Sequence, residues 1–156
     1  NITEFNYRYS DAHQARVFVG LTVNPTTTDR IDLLDALRAQ GYSVDDLTDN
    51  EMAKLHVRFM VGGHVPGQIG QECVYRFEFP ERPGALGKFL SVLGNRWNIS
   101  LFHYRNHGAA YGRVLVGFQV GESDRASLEE AFKTLGYRYW NETDNTAYQQ
   151  FLAATQ

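Results

Sequence analysis

Polar and apolar positions alternate with a period of two in some stretches of the chain and recur every three to four residues in others. Tyr75, Phe77 and Phe79 alternate with Arg76 and Glu78, which predicts a strand. Pro80-Glu81-Arg82-Pro83-Gly84 breaks that pattern, and Leu86, Phe89, Leu90 and Leu93 then fall on one stripe of an amphipathic helix that stops at Gly94. Asn98-Ile99-Ser100 opens a second strand, and Arg113 to Val120 form a third. A helix carrying Leu128, Ala131, Phe132 and Leu135 ends at Gly136, and with a last short strand the order is βαββαβ.

The N-terminal third repeats this pattern from its second strand onward. Asn1-Ile2-Thr3-Glu4-Phe5-Asn6-Tyr7-Arg8 returns as Asn98-Ile99-Ser100-Leu101-Phe102-His103-Tyr104-Arg105, and Arg16 to Val23 returns as Arg113 to Val120. Gly41-Tyr42 matches Gly136-Tyr137, and Thr48-Asp49-Asn50 matches Thr143-Asp144-Asn145. Ile2–Tyr9 and Arg16–Val23 are therefore predicted strands, the second with Val17, Val19, Leu21 and Val23 on one face. A helix over Asp29–Gln40 follows, with Thr28 or Asp29 as cap, Ile31, Leu34 and Leu37 as its buried stripe and Gly41 as its stop. A short strand near Ser43–Asp46 closes the copy, and Asp49–Val57 and Asp144–Leu152 read as matching short helices.

The predicted fold class is α+β: tandem ferredoxin-like βαββαβ modules, the first lacking its initial strand and helix, which ought to lie upstream of Asn1. Module 1 spans 1–58, a linker containing Gly62-Gly63-His64-Val65-Pro66-Gly67 spans 59–72, and module 2 spans 73–156.

Charge and composition narrow the function classes. A net charge of -3 with scattered Arg and Lys gives counterion-driven nucleic-acid binding little to work with. Cys73 is the single cysteine, which excludes an internal disulfide framework and fits a reducing, cytoplasmic setting. No apolar run approaches the roughly 18 residues of a membrane span, so no membrane partner is expected.

The Pro80–Leu86 loop is the leading candidate site. Pro83 has no N–H at the expected first helical position and Gly84 no Cβ, so the helix can open abruptly with bare amide groups suited to a carboxylate. The bland alternative is that Pro-Gly merely starts a helix. Phe5, Tyr7, Phe102 and Tyr104 are expected in the core, with Arg8 and Arg105 on the opposite face. An Arg recurring in both copies suggests an interface between copies or a carboxylate clamp. Gly20 and Gly117 recur inside strands, where close approach of another backbone or a ligand explains a missing side chain. His103 and His107 share a face but supply only two ligands, so no metal site is assigned. No nucleophile-base-orienter set and no Gly-rich phosphate loop is present, so no catalytic residue is assigned.

The runs Phe77-Glu78-Phe79-Pro80-Glu81-Arg82-Pro83-Gly84-Ala85-Leu86, Trp97 to Arg105, Tyr111-Gly112-Arg113-Val114-Leu115 and Asp46 to Arg58 resemble the C-terminal regulatory domain of biosynthetic threonine deaminase over essentially the whole chain. The resemblance implies two tandem ACT-like modules that sense branched-chain amino acids, isoleucine inhibiting and valine relieving inhibition. It also implies a homo-oligomeric parent enzyme whose separate catalytic domain, a partner of this one, holds pyridoxal phosphate. No cofactor is then expected in this stretch. Under that reading the effector would meet Arg82, Pro83, Gly84, Ala85, Leu86, Ile99, Leu101 and Arg105, while Phe5, Tyr7, Arg8, Gly20, Phe102, Tyr104 and Gly117 would serve the contact between modules or stand at equivalent positions of the two. A pure oligomerisation module and a ferredoxin-like RNA binder are the competing readings, the latter because aromatics on a βαββαβ sheet can stack bases.

Overall fold

The computed structural model describes residues 1–24, 27–59, 61, 70–106 and 110–153. The proposed linker stretch Gly62–Gly67 and His107 lie outside these residues. Six strands form one antiparallel sheet in the order β2-β1-β4-β5-β3-β6. They are β1 (Ile2–Arg8), β2 (Val17–Leu21), β3 (Glu72–Pro80), β4 (Asn98–Arg105), β5 (Tyr111–Gln119) and β6 (Arg138–Asn141). The helices are α1 (Thr27–Ala39), α2 (Glu51–Leu55), α3 (Ala85–Leu93), α4 (Arg125–Leu135) and α5 (Thr146–Phe151).

Strands β6-β3-β5-β4 with α3 and α4 make up the complete second module. Phe77, Phe79, Val114, Val116, Phe118, Phe102 and Tyr104 face α3 and α4 and bury Phe89, Leu93, Leu128, Phe132 and Leu135 against them. Phe77 sits edge-on to both Phe89 and Phe132, at centroid distances of 5.1 and 5.0 Å, so one ring joins both helices to the sheet. The stripe of Phe89 and Leu93 is buried as expected, whereas Leu86 and Leu90 lie at its margin.

The two copies meet edge to edge through β1 and β4, which are counterparts in the repeat. Asn6 pairs with His103, its own counterpart, while Phe5 pairs with Tyr104 and Tyr7 with Phe102. Such self-complementary pairing is what a two-fold relation between copies produces. Both counterpart strands carry an irregularity at the same place, between Ile2 and Glu4 and between Ile99 and Leu101.

Three expectations are corrected in the first copy. Ser43–Asp46 forms no strand. Its counterpart β6 bonds only to β3, and within these residues the first copy has no equivalent of β3 to offer. Helix α1 forms, but Ile31 is 49% exposed instead of buried, because among the described residues no second helix packs beside it. Thr28 and Asp29 lie within the first turn of α1 and do not cap it.

A second layer covers the opposite face of the sheet. Helix α5 seats Tyr148 on Val74 and Leu101, and α2 with the 3-10 turn Val57–Phe59 lies over the β1 end. Asn50 and Asn145 cap the two short helices in the same way, accepting from the N–H groups of Ala53 and Ala147.

Candidate functional site

Helix α3 begins at Ala85, two residues later than the sequence suggests. Gly84 is its N-cap in the left-handed conformation, φ 84°, and Pro83 precedes the cap. Glycine is required there by the backbone and not by crowding, since a Cβ at Gly84 would meet nothing within 4 Å. No side chain caps the helix. Ala85 N–H donates to the Arg82 carbonyl at 3.3 Å, and among the described residues the N–H groups of Leu86 and Gly87 find no partner.

The loop is braced from the ends of the neighbouring strands. Glu81 N–H donates to the Ala110 carbonyl at 3.1 Å, and its carboxylate accepts from Asn106 Nδ2 at 2.8 Å and from the Tyr104 hydroxyl at 3.5 Å. Burial, followed by the charge of Glu81, pushes the Tyr104 phenol up from its ordinary range. Gly112 leaves room for this brace: a Cβ there would run into Glu81 Oε1 and come within 2.7 Å of Tyr104 Cε2. On the other flank, the Tyr137 hydroxyl donates to Ala85 O at 3.1 Å and Lys88 Nζ donates to Leu135 O at 3.3 Å. A shallow hollow of about 310 Å³ lies alongside, lined by Pro80, Arg82, Tyr111, Gly136, Tyr137 and Arg138 among others.

The expected effector set is only partly assembled. Arg82, Pro83, Gly84, Ala85 and Leu86 stay together by chain continuity. Ile99 pairs with Phe118 at the far end of β4, while Arg105 pairs with Arg113 at the end nearest the loop. Leu101 is buried beneath Tyr148 on the other face of the sheet. The cause is the bulge between Ile99 and Leu101: an extra residue reverses the alternation, so positions two apart no longer share a face. Arg105 also lies on that other face, 3.5 Å from Glu4 and stacked over Phe59.

The expected contact residues between copies are brought together. Phe5 meets Phe102 edge-on at 5.6 Å, and Tyr7 packs against the same core. Arg8 crosses from module 1 to module 2. Its guanidinium grips Glu72 through two hydrogen bonds of 2.8 and 3.1 Å and donates to Leu152 O at 2.6 Å. Ser100 and Tyr148 hydroxyls also donate to Glu72, so the buried carboxylate is well supplied with donors. Burial and the hydrogen bond to Glu72 raise the Tyr148 phenol. Of the two roles open to the repeated arginines, Arg8 performs the one between copies.

Gly20 and Gly117 have the same explanation in both copies. A Cβ at Gly117 would lie 2.9 Å from Leu101 Cβ, and one at Gly20 would lie 2.9 Å from Thr3 Oγ1 and 3.1 Å from Glu4 Cβ. Each glycine makes room for the bulge on the adjacent strand, so neighbouring side chains, neither another backbone nor a ligand, account for it. Sequence reasoning missed Glu72, Ser100, Tyr148, Glu81 and Gly112. The hydroxyl repeating as Thr3 and Ser100 is the sequence signal that points to that cluster.

The family model for the C-terminal regulatory domain of threonine dehydratase matches residues 1–57 and 65–152. The chain belongs to that family. It is 52% identical over 153 residues to the biosynthetic L-threonine dehydratase IlvA of Escherichia coli and 53% identical over 152 residues to that of Salmonella typhimurium, covering 98% and 97% of this chain. The mitochondrial threonine dehydratase of Saccharomyces cerevisiae is 41% identical over 160 residues. The chain spans 29% of the length of the two bacterial relatives and 27% of the yeast one. The regulatory domain thus has the α+β architecture expected of ACT-like modules. Among the described residues no helix is long and apolar enough to cross a membrane.

Proposed function

We propose that this regulatory domain is the effector-sensing part of a cytoplasmic, oligomeric threonine dehydratase, binding isoleucine as inhibitor and valine as the antagonist of that inhibition. The threonine ammonia-lyase reaction and its pyridoxal phosphate belong, on this reading, to a catalytic domain outside these residues. The observation that carries the proposal is the uncapped start of α3, where the Leu86 and Gly87 amides stand open beside Arg82. A carboxylate there gains backbone donors, the positive end of the helix and a guanidinium. The side chain of the amino acid would then lie toward Leu86, at the margin of the core. Ile99, Leu101 and Arg105 are not assigned to this pocket, for the geometric reasons given above.

Isoleucine and valine differ by one methylene, worth roughly 1 to 3 kcal/mol in a pocket. A difference of that size switches an enzyme only by acting on two conformations unequally. The joint between copies is suited to carry such a change, because Arg8 ties β1 to β3 and to the segment after α5 in one contact.

Calorimetric titration with isoleucine tests the proposal. Saturable binding that weakens at least tenfold in Arg82→Gln is expected, and again in Leu86→Pro, which removes one open amide in the first turn. Absence of binding in the unaltered chain, or full affinity in both variants, overturns the site. The oligomerisation reading is kept alive by one feature, the exposed apolar face of the first copy, where Val17, Val19 and Leu21 are 43%, 42% and 42% exposed. If isoleucine does not bind while the chain self-associates, that reading prevails.

A further inference from the structure

The ladder between β1 and β4 is closed at its two ends by counterpart hydrogen bonds. Asn106 N–H, just past β4, donates to the Thr3 carbonyl at 3.1 Å, and Tyr9 N–H, just past β1, donates to the Ser100 carbonyl at 2.8 Å. Thr3 matches Ser100 in the repeat and Tyr9 matches Asn106, so each copy closes on the bulge of the other. Each closure is tied back across β5 by a glutamate that passes at a glycine. Glu72, at the start of β3, passes Gly117, where a Cβ would lie 3.2 Å from Glu72 Oε2, and accepts from Ser100 and Arg8. Glu81, one residue beyond β3, passes Gly112, where a Cβ would run into its Oε1, and accepts from Asn106 Nδ2 at 2.8 Å. The two ties differ in strength. Glu72 grips a buried guanidinium through two hydrogen bonds, whereas Glu81 holds Asn106 through one bond from a neutral amide at a partly buried position. The Glu72 end is therefore the fixed one, and the Glu81 end is the one a modest change can move. Glu81 is also followed directly by Arg82, Pro83 and Gly84, the open start of α3.

We propose that Glu81 and Asn106 are positioning residues that couple the α3 loop to the first copy. A displacement of the loop passes from the Glu81 carboxylate to the Asn106 side chain, and from the Asn106 N–H to the Thr3 carbonyl. Asn106 is suited to this because its side chain is held by the loop of one copy while its backbone is held by a strand of the other. Thr3 is suited to receive it. It stands in the irregularity between Ile2 and Glu4, out of register with β2, so its peptide can follow Asn106 while the paired residues on either side stay in place. Use of the link by an effector rests on the reading of α3 given above, and the link itself does not.

Amide NMR of the intact chain tests the link in two arms. In the first, without ligand, Gly84→Ala disturbs the loop because Gly84 holds φ 84°, and the fold survives because a Cβ there meets no neighbour. The Glu4 and Gly20 amide signals of the first copy are expected to shift, and to shift at least threefold less when Asn106→Ala or Glu81→Ala is added. Glu81→Gln, which keeps an acceptor oxygen for Asn106, is expected to preserve the shift. Asn106→Ala leaves the backbone bond to Thr3 in place, so the amide of residue 106 should still exchange slowly in that variant. No shift at Glu4 and Gly20 in Gly84→Ala, or an undiminished one in both alanine variants, overturns the link. Fast exchange at residue 106 in Asn106→Ala reduces the pair to a structural support and overturns it equally. In the second arm, isoleucine is expected to move Leu86, Gly87, Glu4 and Gly20 in the unaltered chain but only Leu86 and Gly87 in Asn106→Ala. Full shifts at Glu4 and Gly20 in that variant overturn the link. No response at Leu86 and Gly87 in the unaltered chain removes the effector reading of α3 and leaves the first arm to decide the link.

Discussion

The two copies carry nearly the same pattern and bury it to opposite degrees. Val114, Val116 and Phe118 on β5 are at most 2% exposed, whereas their counterparts Val17, Val19 and Leu21 on β2 are each above 40%. Tyr137 after α4 is 7% exposed and Tyr42 after α1 is 64%. Leu128, Ala131 and Phe132 are buried in α4, while Leu33, Ala36 and Leu37 at the corresponding turns of α1 are half-buried or exposed. The difference is not in the strands and helices themselves. In the second copy β3 and α3 close the sandwich, and the first copy has no counterpart among these residues. Apolar periodicity creates a face that can be buried, but burial needs a second element to cover it.

Paired substitutions sharpen this contrast, and the largest effects belong to the covered copy. Phe132→Ala should cost about 3 to 5 kcal/mol in urea unfolding, while Leu37→Ala should cost under about 1 kcal/mol. Equal costs would mean that the first copy is covered in solution by something else. Val116→Asp, which buries a charge, should prevent cooperative folding, whereas Val19→Asp should leave the unfolding midpoint nearly unchanged.

The joint between copies comes next in size. Glu72→Ala strands Arg8, whose side chain is 6% exposed, and should cost about 3 to 5 kcal/mol. Glu4→Ala removes a carboxylate whose main partner Arg58 is 37% exposed, so its cost should be about 1 to 2 kcal/mol. A reversed order would show that the β1–β4 joint is held from the Arg58 side.

The bulge glycines form a third pair. Gly117→Ala drives a Cβ against Leu101 Cβ in a packed region and should cost about 1 to 3 kcal/mol. Gly20→Ala meets chiefly the Thr3 hydroxyl and the Glu4 side chain on a more open edge, and should cost less.

The smallest effect is a pH dependence confined to the covered copy. Burial pushes the Cys73 thiol up to about 11 from 9.0. Its contribution to stability is therefore complete below pH 9, where folded and unfolded thiols are both neutral, and is lost as pH rises through about 11. At pH 8, iodoacetamide should label Cys73 only at the rate of unfolding, and labelling should accelerate in Phe132→Ala but not in Leu37→Ala. Fast labelling of the unaltered chain would contradict the closed second core.

Much of this was legible in the chain. The order of strands and helices, the duplication, the glycine stops at Gly41 and Gly136 and the buried stripe of α4 follow from local periodicity and turn chemistry, which depend on neighbouring residues alone. Even the open start of α3 is visible, because Pro83 and Gly84 break β3 just ahead of an amphipathic stripe. Tertiary structure decided what depends on partners distant in sequence. Whether Ser43–Asp46 becomes a strand rests on a neighbour to bond with, and whether Ile31 is buried rests on a helix beside it. The bulge at Ile99–Leu101 separated Leu101 from the face the alternation had assigned it, and edge pairing of β1 with β4 set Arg105 against Glu4. A sequence specifies which surfaces can pair, and the pairing itself fixes which charges and apolar groups must face one another.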